Sequence, residues 1–395
     1  MLRTNNLTSK LDNDKTKSIP FVSLQVLDKM EQFLEFIKKA KQALNNIEIF
    51  KNIHLVLGNE SCDLDSTISA LSLAYLIHSR NTNDLVIPVM NVEAKYFPLR
   101  TETNYLLKKC DIDPKNLVYK DQINYSNILK TAKVKTSLVD HHVLSNHDKV
   151  LEETVLEIFD HRTINKEEIC HGDHVEKTVI KIVGSCCTLI TNEIIESKLS
   201  ILFNDLSHLL YATIIYDTIG LDKEYGKTFE DDLKAAQYLE NILKPTQARK
   251  ELFNVLWKIH NDTSTLSTQD LLYRDLKVVK GIPIPGLPIL VEEYLNRGDA
   301  DGAIAAFASD FKTSNVVLIG IDASEDVKRD IAIFSTDSIF KKTLIIILSD
   351  SKHELQLTEI PVKNKNVVCF RQGNIKLTRK FILPLVNDAA VQCQK

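Results

Sequence analysis

The chain has 395 residues, which is more than one hydrophobic core usually spans, so its length predicts two domains. A net charge of −4 offers no basic field for nucleic acid, and no apolar run approaches the roughly 18 residues that a membrane-spanning helix needs. Seven cysteines without a C-x-x-C pair argue against a disulfide framework and against a thiolate zinc site. We therefore expect a soluble protein of a reducing compartment, the cytoplasm or alternatively the mitochondrion, without nucleic-acid or membrane partners.

Strand-like and helical patterns alternate through the first half of the chain. Residues 1–45 form an N-terminal extension that we expect to be partly disordered, because the opening stretch 1–18 is polar. In the following region, 46–230, the strand candidates are 53–57, 85–90, 136–139, 155–159 and 178–183, and the helical patterns are 66–79, 185–197 and 203–217. This alternation predicts an α/β domain with a mainly parallel sheet.

The pattern changes near 230–250, where a polar amphipathic helix ends at Pro245. A second set of strands and helices follows, and it includes the apolar runs 315–321, 330–335 and 343–349. We expect residues 250–390 to form a smaller, mixed α/β domain.

Acidic residues follow several strand candidates. Asp63 and Asp65 come after the first strand candidate, Asp140 closes the third and Asp160 closes the fourth. Ligands of open α/β sheets bind at the carboxyl ends of the strands, so these loops can converge on one crevice. Asp217, in the apolar run H-L-L-Y-A-T-I-I-Y-D-T, is a further candidate because a carboxylate there needs a partner. One such Asp is more often a helix cap or a satisfied core residue, whereas the whole set with its adjacent histidines favours a metal site.

The ligand types limit the metal and the chemistry. Carboxylates with one or two imidazoles and no thiolate favour Mn²⁺ or Mg²⁺ over structural zinc. Two ions that share a bridging carboxylate suit hydrolytic displacement, because they activate water and neutralise the attacked phosphoryl group. The sequence therefore predicts two divalent ions and phosphate hydrolysis. Cys186 and Cys187 lie in an apolar helical stretch, where cysteine usually packs as a small buried residue, and we assign them no catalysis.

Five segments together resemble the DHH phosphoesterase superfamily. In chain order they are G-N-E-S-C-D-L-D-S-T, L-V-D-H-H, F-D-H-R, G-S-C-C-T-L and T-I-I-Y-D-T. The Asn-Glu opening and the D-H-R variant are most similar to the prune proteins, which are close relatives of the eukaryotic exopolyphosphatases. The resemblance covers roughly residues 50–388, including the C-terminal segment R-Q-G-N-I-K-L-T-R-K-F-I-L-P-L.

The resemblance implies which residues of the first domain act. The implied metal ligands, with catalytic roles, are Asp63, Asp65, Asp140, Asp217 and His161. Asp140 is implied to bridge both ions. Asn59 stands where related pyrophosphatases carry a ligand histidine, and Arg162 stands where they carry the second histidine of D-H-H; we assign both to substrate binding. His141 and His142 stay open between ligating a metal and orienting the loop.

The second domain is implied to supply positive charge. Lys277 in L-L-Y-R-D-L-K, with Arg379 and Lys380 in L-T-R-K, matches family motifs that hold a polyanion across a cleft. We therefore expect an exopolyphosphatase that hydrolyses phosphoanhydride bonds of short inorganic polyphosphate, or of another phosphorylated small molecule, in the cleft between the domains. A cyclic-nucleotide phosphodiesterase and a weakly catalytic regulatory scaffold are the alternatives, and Asn59 and Arg162 permit the scaffold.

Overall fold

The structure is a computed structural model that describes residues 21–80, 83–162, 172, 174–264, 266–322 and 326–393. The expected disorder of the opening stretch 1–18 therefore lies outside the described residues. Two six-stranded sheets, each with helices packed on it, organise the rest of the chain. None of the helices within the described ranges has the length and apolar character that crossing a membrane requires.

The first sheet is entirely parallel, as the alternating pattern predicts. Its strands are β1 (Asn52–Leu57), β2 (Leu85–Met90), β3 (Val118–Tyr119), β4 (Lys133–Val139), β5 (Val155–Asp160) and β6 (Lys177–Ile180). The helices of this part, which we call the first domain, are α1 (Phe21–Ala43), α2 (Leu64–Ser79), α3 (Thr101–Lys109), α4 (Tyr125–Thr131), α5 (Cys186–Ser197), α6 (Asn204–Asp217), α7 (Glu230–Leu243) and α8 (Arg249–Asn261). The strand order is β3-β2-β1-β4-β5-β6.

Burial on both faces explains the apolar strands of this sheet. Ile53, Leu55 and Leu57 of β1 lie in one hydrophobic cluster, and Val56 lies in a cluster on the opposite face. Side chains alternate across a strand, so a strand covered on both sides must be apolar at nearly every position. Strands β2 and β3 are added on one side of β1 and strands β4 to β6 on the other, and such a switch point opens a crevice at the carboxyl ends of the strands.

The second sheet is mixed, also as predicted. Its strands are β7 (Leu276–Val279), β8 (Ile282–Leu287), β9 (Asn315–Asp322), β10 (Lys328–Ser335), β11 (Leu357–Ile360) and β12 (Val367–Gln372). The helices of this second domain are α9 (Thr268–Arg274), α10 (Val291–Leu295), α11 (Ala300–Asp310), α12 (Ser338–Ser349) and α13 (Arg379–Cys393). Only β8 and β9 pair in parallel among the described strands of this sheet.

The three apolar runs of the second domain take different forms. The runs 315–321 and 330–335 lie in strands β9 and β10, whereas 343–349 forms the C-terminal part of helix α12. Phe340, Leu344 and Leu348 are the buried residues of this helix. Their spacing of four residues places them on one helical face, which is why an otherwise strand-like run of isoleucines is helical here.

Candidate metal and phosphate site

Three predicted ligands converge at the switch point of the first sheet. Asp65 lies in the first turn of α2, Asp140 follows β4, and His161 follows β5. One ligand atom from each lies within 4.8 Å of the others. His161 Nε2 is 3.2 Å from Asp140 Oδ1 and 3.6 Å from Asp65 Oδ2. The strand-end argument therefore brings together side chains that are far apart in the chain.

Asp65 is held by the N-terminus of helix α5. Its carboxylate accepts hydrogen bonds from Ser185 Oγ at 2.8 Å, from Cys186 N at 2.6 Å and from Cys187 N at 2.8 Å. Free backbone N–H groups and the helix dipole both favour a carboxylate there. Sequence reasoning missed the role of Ser185, although a serine at the first position of the helical pattern 185–197 is a capping signal.

The two cysteines beside this contact remain thiols. Burial and the nearby Asp65 raise the pKa of Cys186 and of Cys187 well above the ordinary value. A protonated thiol is a poor nucleophile and a poor ligand. Their backbone N–H groups serve the site, which agrees with assigning their side chains no catalysis.

Asp140 is fixed by its backbone and by Asn59. Its φ of 60° lies in the left-handed region, which Asp tolerates better than most residues. Asn59 Nδ2 donates to Asp140 Oδ2 at 2.5 Å, while Asn59 Oδ1 accepts from Cys62 N at 3.1 Å. These two partners fix the amide orientation, because a flipped amide would lose both contacts. Asn59 thus orients the Asp140 carboxylate.

Buried Asp140 and partly buried His161 form a close pair. Burial raises the pKa of Asp140 to about 7, although the hydrogen bond from His161 opposes this shift. Burial lowers the pKa of His161, but Asp140 and Asp65 outweigh it and raise that pKa to about 10. The crowded carboxylates thus demand positive charge, which the imidazolium supplies here and which a cation can supply instead.

The ring of His161 has the orientation of a metal ligand. Its Nδ1 is 3.0 Å from Val183 O and must donate to it, since a carbonyl oxygen only accepts. Nε2 therefore faces the two carboxylates. A ligating histidine commonly donates its other ring nitrogen to a carbonyl oxygen in this way.

Asp160 organises the neighbouring loops. It is completely buried, its Oδ1 accepts from His161 N at 2.7 Å, and its Oδ2 is 2.5 Å from His142 Nδ1. His141 Nδ1 is 2.9 Å from Val139 O, and its buried Nε2 has no hydrogen-bond partner among the described residues. These contacts fix the orientation of both imidazole rings, and neither histidine belongs to the convergent trio within the described chain.

Asp63 and Asp217 lie on the cleft side of the trio. Asp63 is the N-cap of α2 and accepts from Ser66 N at 3.1 Å, so the capping interpretation is right for this residue. Asp217 ends helix α6 instead of a strand, and its buried Oδ2 has no hydrogen-bond partner in the described chain. Burial and Asp65 raise the pKa of both carboxyl groups. A second cation beside them would relieve the same repulsion.

An inter-domain cavity of about 610 Å³ adjoins these carboxylates. The first domain contributes Asp63 and Asp217 to its lining, and the second domain contributes Arg379 and Lys380. Arg162 is 45% exposed, and its Nη2 lies 3.5 Å from Asp140 Oδ1. Two predicted metal ligands, Asp63 and Asp217, and two predicted phosphate-binding residues, Arg379 and Lys380, therefore line one cavity, whereas Lys277 lines a second cavity of about 710 Å³.

The basic side chains of the second domain have internal partners that the sequence did not reveal. Arg379 donates from Nη2 to both carboxylate oxygens of Asp275, at 2.6 and 2.7 Å. A Cβ added at Gly286 would lie 2.5 Å from Arg379 Nη1, so this glycine leaves room for the pair. Lys277 Nζ donates to Ser61 Oγ at 2.7 Å, while Lys380 is exposed. Asp275 and Arg379 are 104 positions apart in the chain, and Ser61 and Lys277 are 216 positions apart. No local sequence pattern predicts contacts over such separations.

The donor set fits a divalent metal ion. Two carboxylates and a neutral imidazole nitrogen offer hard and intermediate ligands at a partly open position, which suits ions such as Mn²⁺ or Mg²⁺. His161 is 21% exposed, so the trio is not sealed from solvent. Beside such an ion, the basic groups can hold a phosphate.

Comparison with known proteins identifies both halves of the chain. The DHHA2 domain family matches residues 254–389. Exopolyphosphatase PRUNE1 of Mus musculus is 33% identical over 368 residues, which cover 91% of this chain and 79% of that protein. A putative exopolyphosphatase of Schizosaccharomyces pombe is 27% identical over 389 residues, covering 92% of this chain and 97% of that protein.

A solved structure shares the fold. A putative family II inorganic pyrophosphatase of Methanococcus jannaschii superimposes with a TM-score of 0.56 at 18% identity, covering 85% of this chain and 99% of that one. The chain therefore shares the fold of that pyrophosphatase. With the extensive identity to the mouse protein, it follows that the chain belongs to the prune family of the DHH phosphoesterase superfamily.

Proposed function

We propose that this chain is a metal-dependent hydrolase of phosphoanhydride bonds that releases phosphate from short inorganic polyphosphates. The observation that carries the proposal is the convergence of Asp65, Asp140 and His161 within 4.8 Å, beside a cleft whose far wall holds Arg379 and Lys380. The names of the mouse and fission-yeast relatives, both exopolyphosphatases, support the same substrate class.

The carboxylates would hold two ions. Asp65, Asp140 and His161 would hold one, and Asp63 and Asp217 would hold the second with Asp140 shared between them. Divalent ions, Mn²⁺ as first choice and Mg²⁺ as second, would supply a lower pKa for the attacking water and positive charge beside the phosphoryl oxygens. Asn59 and the N-terminus of α5 keep the carboxylates in place before substrate arrives.

The basic residues bind the substrate phosphates in this proposal. Arg162 stands closest to Asp140 and would contact the attacked phosphoryl group. Lys277, Arg379 and Lys380 would neutralise the next phosphates of the chain, which also disperses charge on the leaving group. For Arg379 this requires exchanging the Asp275 carboxylate for a phosphate, two anions that match its guanidinium equally well.

A cyclic-nucleotide phosphodiesterase is the second candidate, and one observation favours it. Trp257 and His260 stack with ring centroids 6.1 Å apart and both line the inter-domain cavity. Trp257 is 40% exposed, so its ring is available to a nucleobase.

Product formation is the test that separates these functions: inorganic phosphate is measured for tripolyphosphate and pyrophosphate, and AMP is measured for cyclic AMP, whose hydrolysis opens the cyclic diester and frees no phosphate. Tripolyphosphate, pyrophosphate and cyclic AMP are each incubated with the purified chain and with Mn²⁺, Mg²⁺ or a chelator. We expect release from tripolyphosphate that depends on the metal and exceeds the turnover of cyclic AMP. Turnover of cyclic AMP alone would favour the phosphodiesterase. The absence of any turnover, together with intact folding, would favour the regulatory scaffold.

A further inference from the structure

One turn of the metal-binding loop contacts the second domain. The turn runs from Asn59 to Cys62 and is closed by the Cys62 N–H donating to Asn59 O at 3.1 Å. Arg100 donates to the carbonyl oxygen of Ser61, from Nε at 3.0 Å and from Nη2 at 2.8 Å. Lys277, in strand β7 of the second domain, donates to the hydroxyl of the same serine at 2.7 Å. Ser61 is therefore held by both domains at once.

This turn connects two residues of the site. Asn59, at its start, orients the Asp140 carboxylate, and Asp63, directly after it, caps α2 and lines the cavity. Ser61 thus lies two positions from Asn59 and two from Asp63, and it lines the cavity itself.

Lys277 keeps its charge available in this contact. Its partner is a neutral hydroxyl, and among the described residues no carboxylate forms an ion pair with it. Arg379, by contrast, is neutralised by a two-pronged contact with Asp275. An ammonium group has three donors, so Lys277 can bind Ser61 and still offer hydrogen bonds to a phosphate.

We propose that Ser61 is a positioning residue that aims Lys277 at the substrate phosphate. Its hydroxyl oxygen accepts from the ammonium group and fixes its position. Without this anchor the four-carbon side chain of Lys277 samples several rotamers, and substrate binding must then order it. The inference deepens the proposed function and rests on it for the identity of the ligand as a phosphoanhydride.

A double-mutant cycle tests the inference by binding instead of turnover. The affinity of the Mn²⁺-loaded protein for imidodiphosphate, a non-hydrolysable analogue of pyrophosphate, is measured for the wild type, Ser61→Ala, Lys277→Gln and the double variant. We expect Ser61→Ala to weaken binding about tenfold and Lys277→Gln to weaken it more. The double variant should bind no more weakly than Lys277→Gln alone, because the serine acts through the lysine.

Two controls separate positioning from mere stability. Ser61→Thr keeps a hydroxyl and should retain most of the affinity, and Ser126→Ala, at an exposed position on α4, should bind like the wild type. The affinity for Mn²⁺ should be unchanged in Ser61→Ala. Additive losses, a parallel loss of Mn²⁺ affinity, or no imidodiphosphate binding by the wild type would each overturn the inference. Coupled binding without phosphate release would instead preserve it and refute hydrolysis.

Discussion

The two walls of the cleft are built in different ways. In the first domain, the carboxylates are held by neutral donors from the buried fold: Asp65 by backbone N–H groups of α5, and Asp140 by the amide of Asn59. In the second domain, Arg379 is occupied by the carboxylate of Asp275, and Lys380 is exposed. The donors of the first domain belong to the buried fold and stay in place, and we call this side the fixed wall. In the second domain an anion can replace the Asp275 carboxylate, and we call this side the basic, exchangeable wall.

The two walls therefore differ in the binding free energy that a ligand gains from each. Neutral donors orient the carboxylates without neutralising them, so His161 and Arg162 are the positive groups that offset their repulsion, and a metal cation would relieve it further. The Asp275 carboxylate, in contrast, mimics a phosphate on Arg379, and a substrate gains only the difference between the two contacts. Loss of a metal ligand should therefore nearly abolish turnover, whereas loss of a basic residue should lower turnover only in part.

Removing the shared ligand should give the largest effect. Asp140→Asn keeps the shape but replaces a ligand oxygen by an amide, so we expect phosphate release from tripolyphosphate to fall by more than about 100-fold, the upper end for residues that only orient ligands. The fold should persist, because a neutral group removes one of the crowded carboxylates. Phosphate-release kinetics and thermal unfolding of the metal-free variant check both points.

A matched control exists for this change. Asp111 is exposed and has φ of 54°, so Asp111→Asn makes the same substitution in the same backbone conformation away from the cleft. It should leave turnover unchanged. Near-normal turnover of Asp140→Asn at saturating Mn²⁺ would contradict the shared-ligand role.

Substitutions in the basic wall should lower activity only in part. Replacing Arg379 and Lys380 by Ala should lower kcat/KM on tripolyphosphate about 10- to 100-fold, since a charged hydrogen bond contributes roughly 1.5–3 kcal/mol and the loss of Asp275 competition offsets part of it. Mn²⁺ binding, measured by titration calorimetry, should stay intact. The pair Lys341 and Lys342 on α12 provides the matched control. Equal kinetics for the cleft variant and the wild type would refute the clamp.

Sequence patterns predicted the fixed wall better than the exchangeable one. Asp65 and Asp140 follow a rule that links strand ends to a crevice, whereas His161 was implied by the resemblance, and the structure brings all three within 4.8 Å. The rule needs only the order of apolar runs and acidic residues along the chain. Asp217 was found by its apolar surroundings instead, and it closes a helix.

The partners of the basic residues follow no such rule. The ion pair of Asp275 with Arg379 depends on how α13 packs against the start of β7, which no local pattern encodes. The role of Ser61 likewise depends on domain contact. The resemblance to a family indicated which cations matter, but only the packing shows what holds them in the absence of substrate.

Asn59 tests whether orientation alone matters in the fixed wall. Asn59→Leu removes the donor to Asp140 and the acceptor for Cys62 N, so we expect Mn²⁺ affinity to fall about tenfold, as for other groups that orient metal ligands. Titration calorimetry measures the change. Asn104→Leu, which loses two contacts to carbonyl oxygens at 2.9 and 2.8 Å elsewhere in the first domain, is the control and should keep the affinity. Unchanged affinity in Asn59→Leu would show that Asp140 needs no orienting amide.

The smallest expected effect concerns an ion pair that lines the cleft and contributes to the stability of the fold. Glu102 is buried, and its Oε2 lies 3.1 Å from His260 Nδ1 on α8. Burial raises the pKa of Glu102, but the positive charge of His260 outweighs it and holds that pKa below the ordinary value. A carboxyl group whose pKa is lower in the folded state stabilises the protein above its unfolded-state pKa, near 4.3, and loses that contribution as the pH falls through the folded value.

Glu102→Gln should therefore lower the free energy of unfolding at pH 6 by an amount on the order of 1 kcal/mol, since His260 is partly exposed and solvent screens the pair. As the pH is lowered from 6 towards 3, the wild-type carboxyl group takes up a proton, and the difference between the two proteins should shrink. Urea unfolding at both pH values measures it, with the exposed Glu48→Gln as the control. A loss that is equal at pH 6 and pH 3 would mean that packing, not charge, is what Glu102 contributes. In that case this part of the wall would resemble the neutral, fixed contacts around Asp65 more than the exchangeable pair of Arg379.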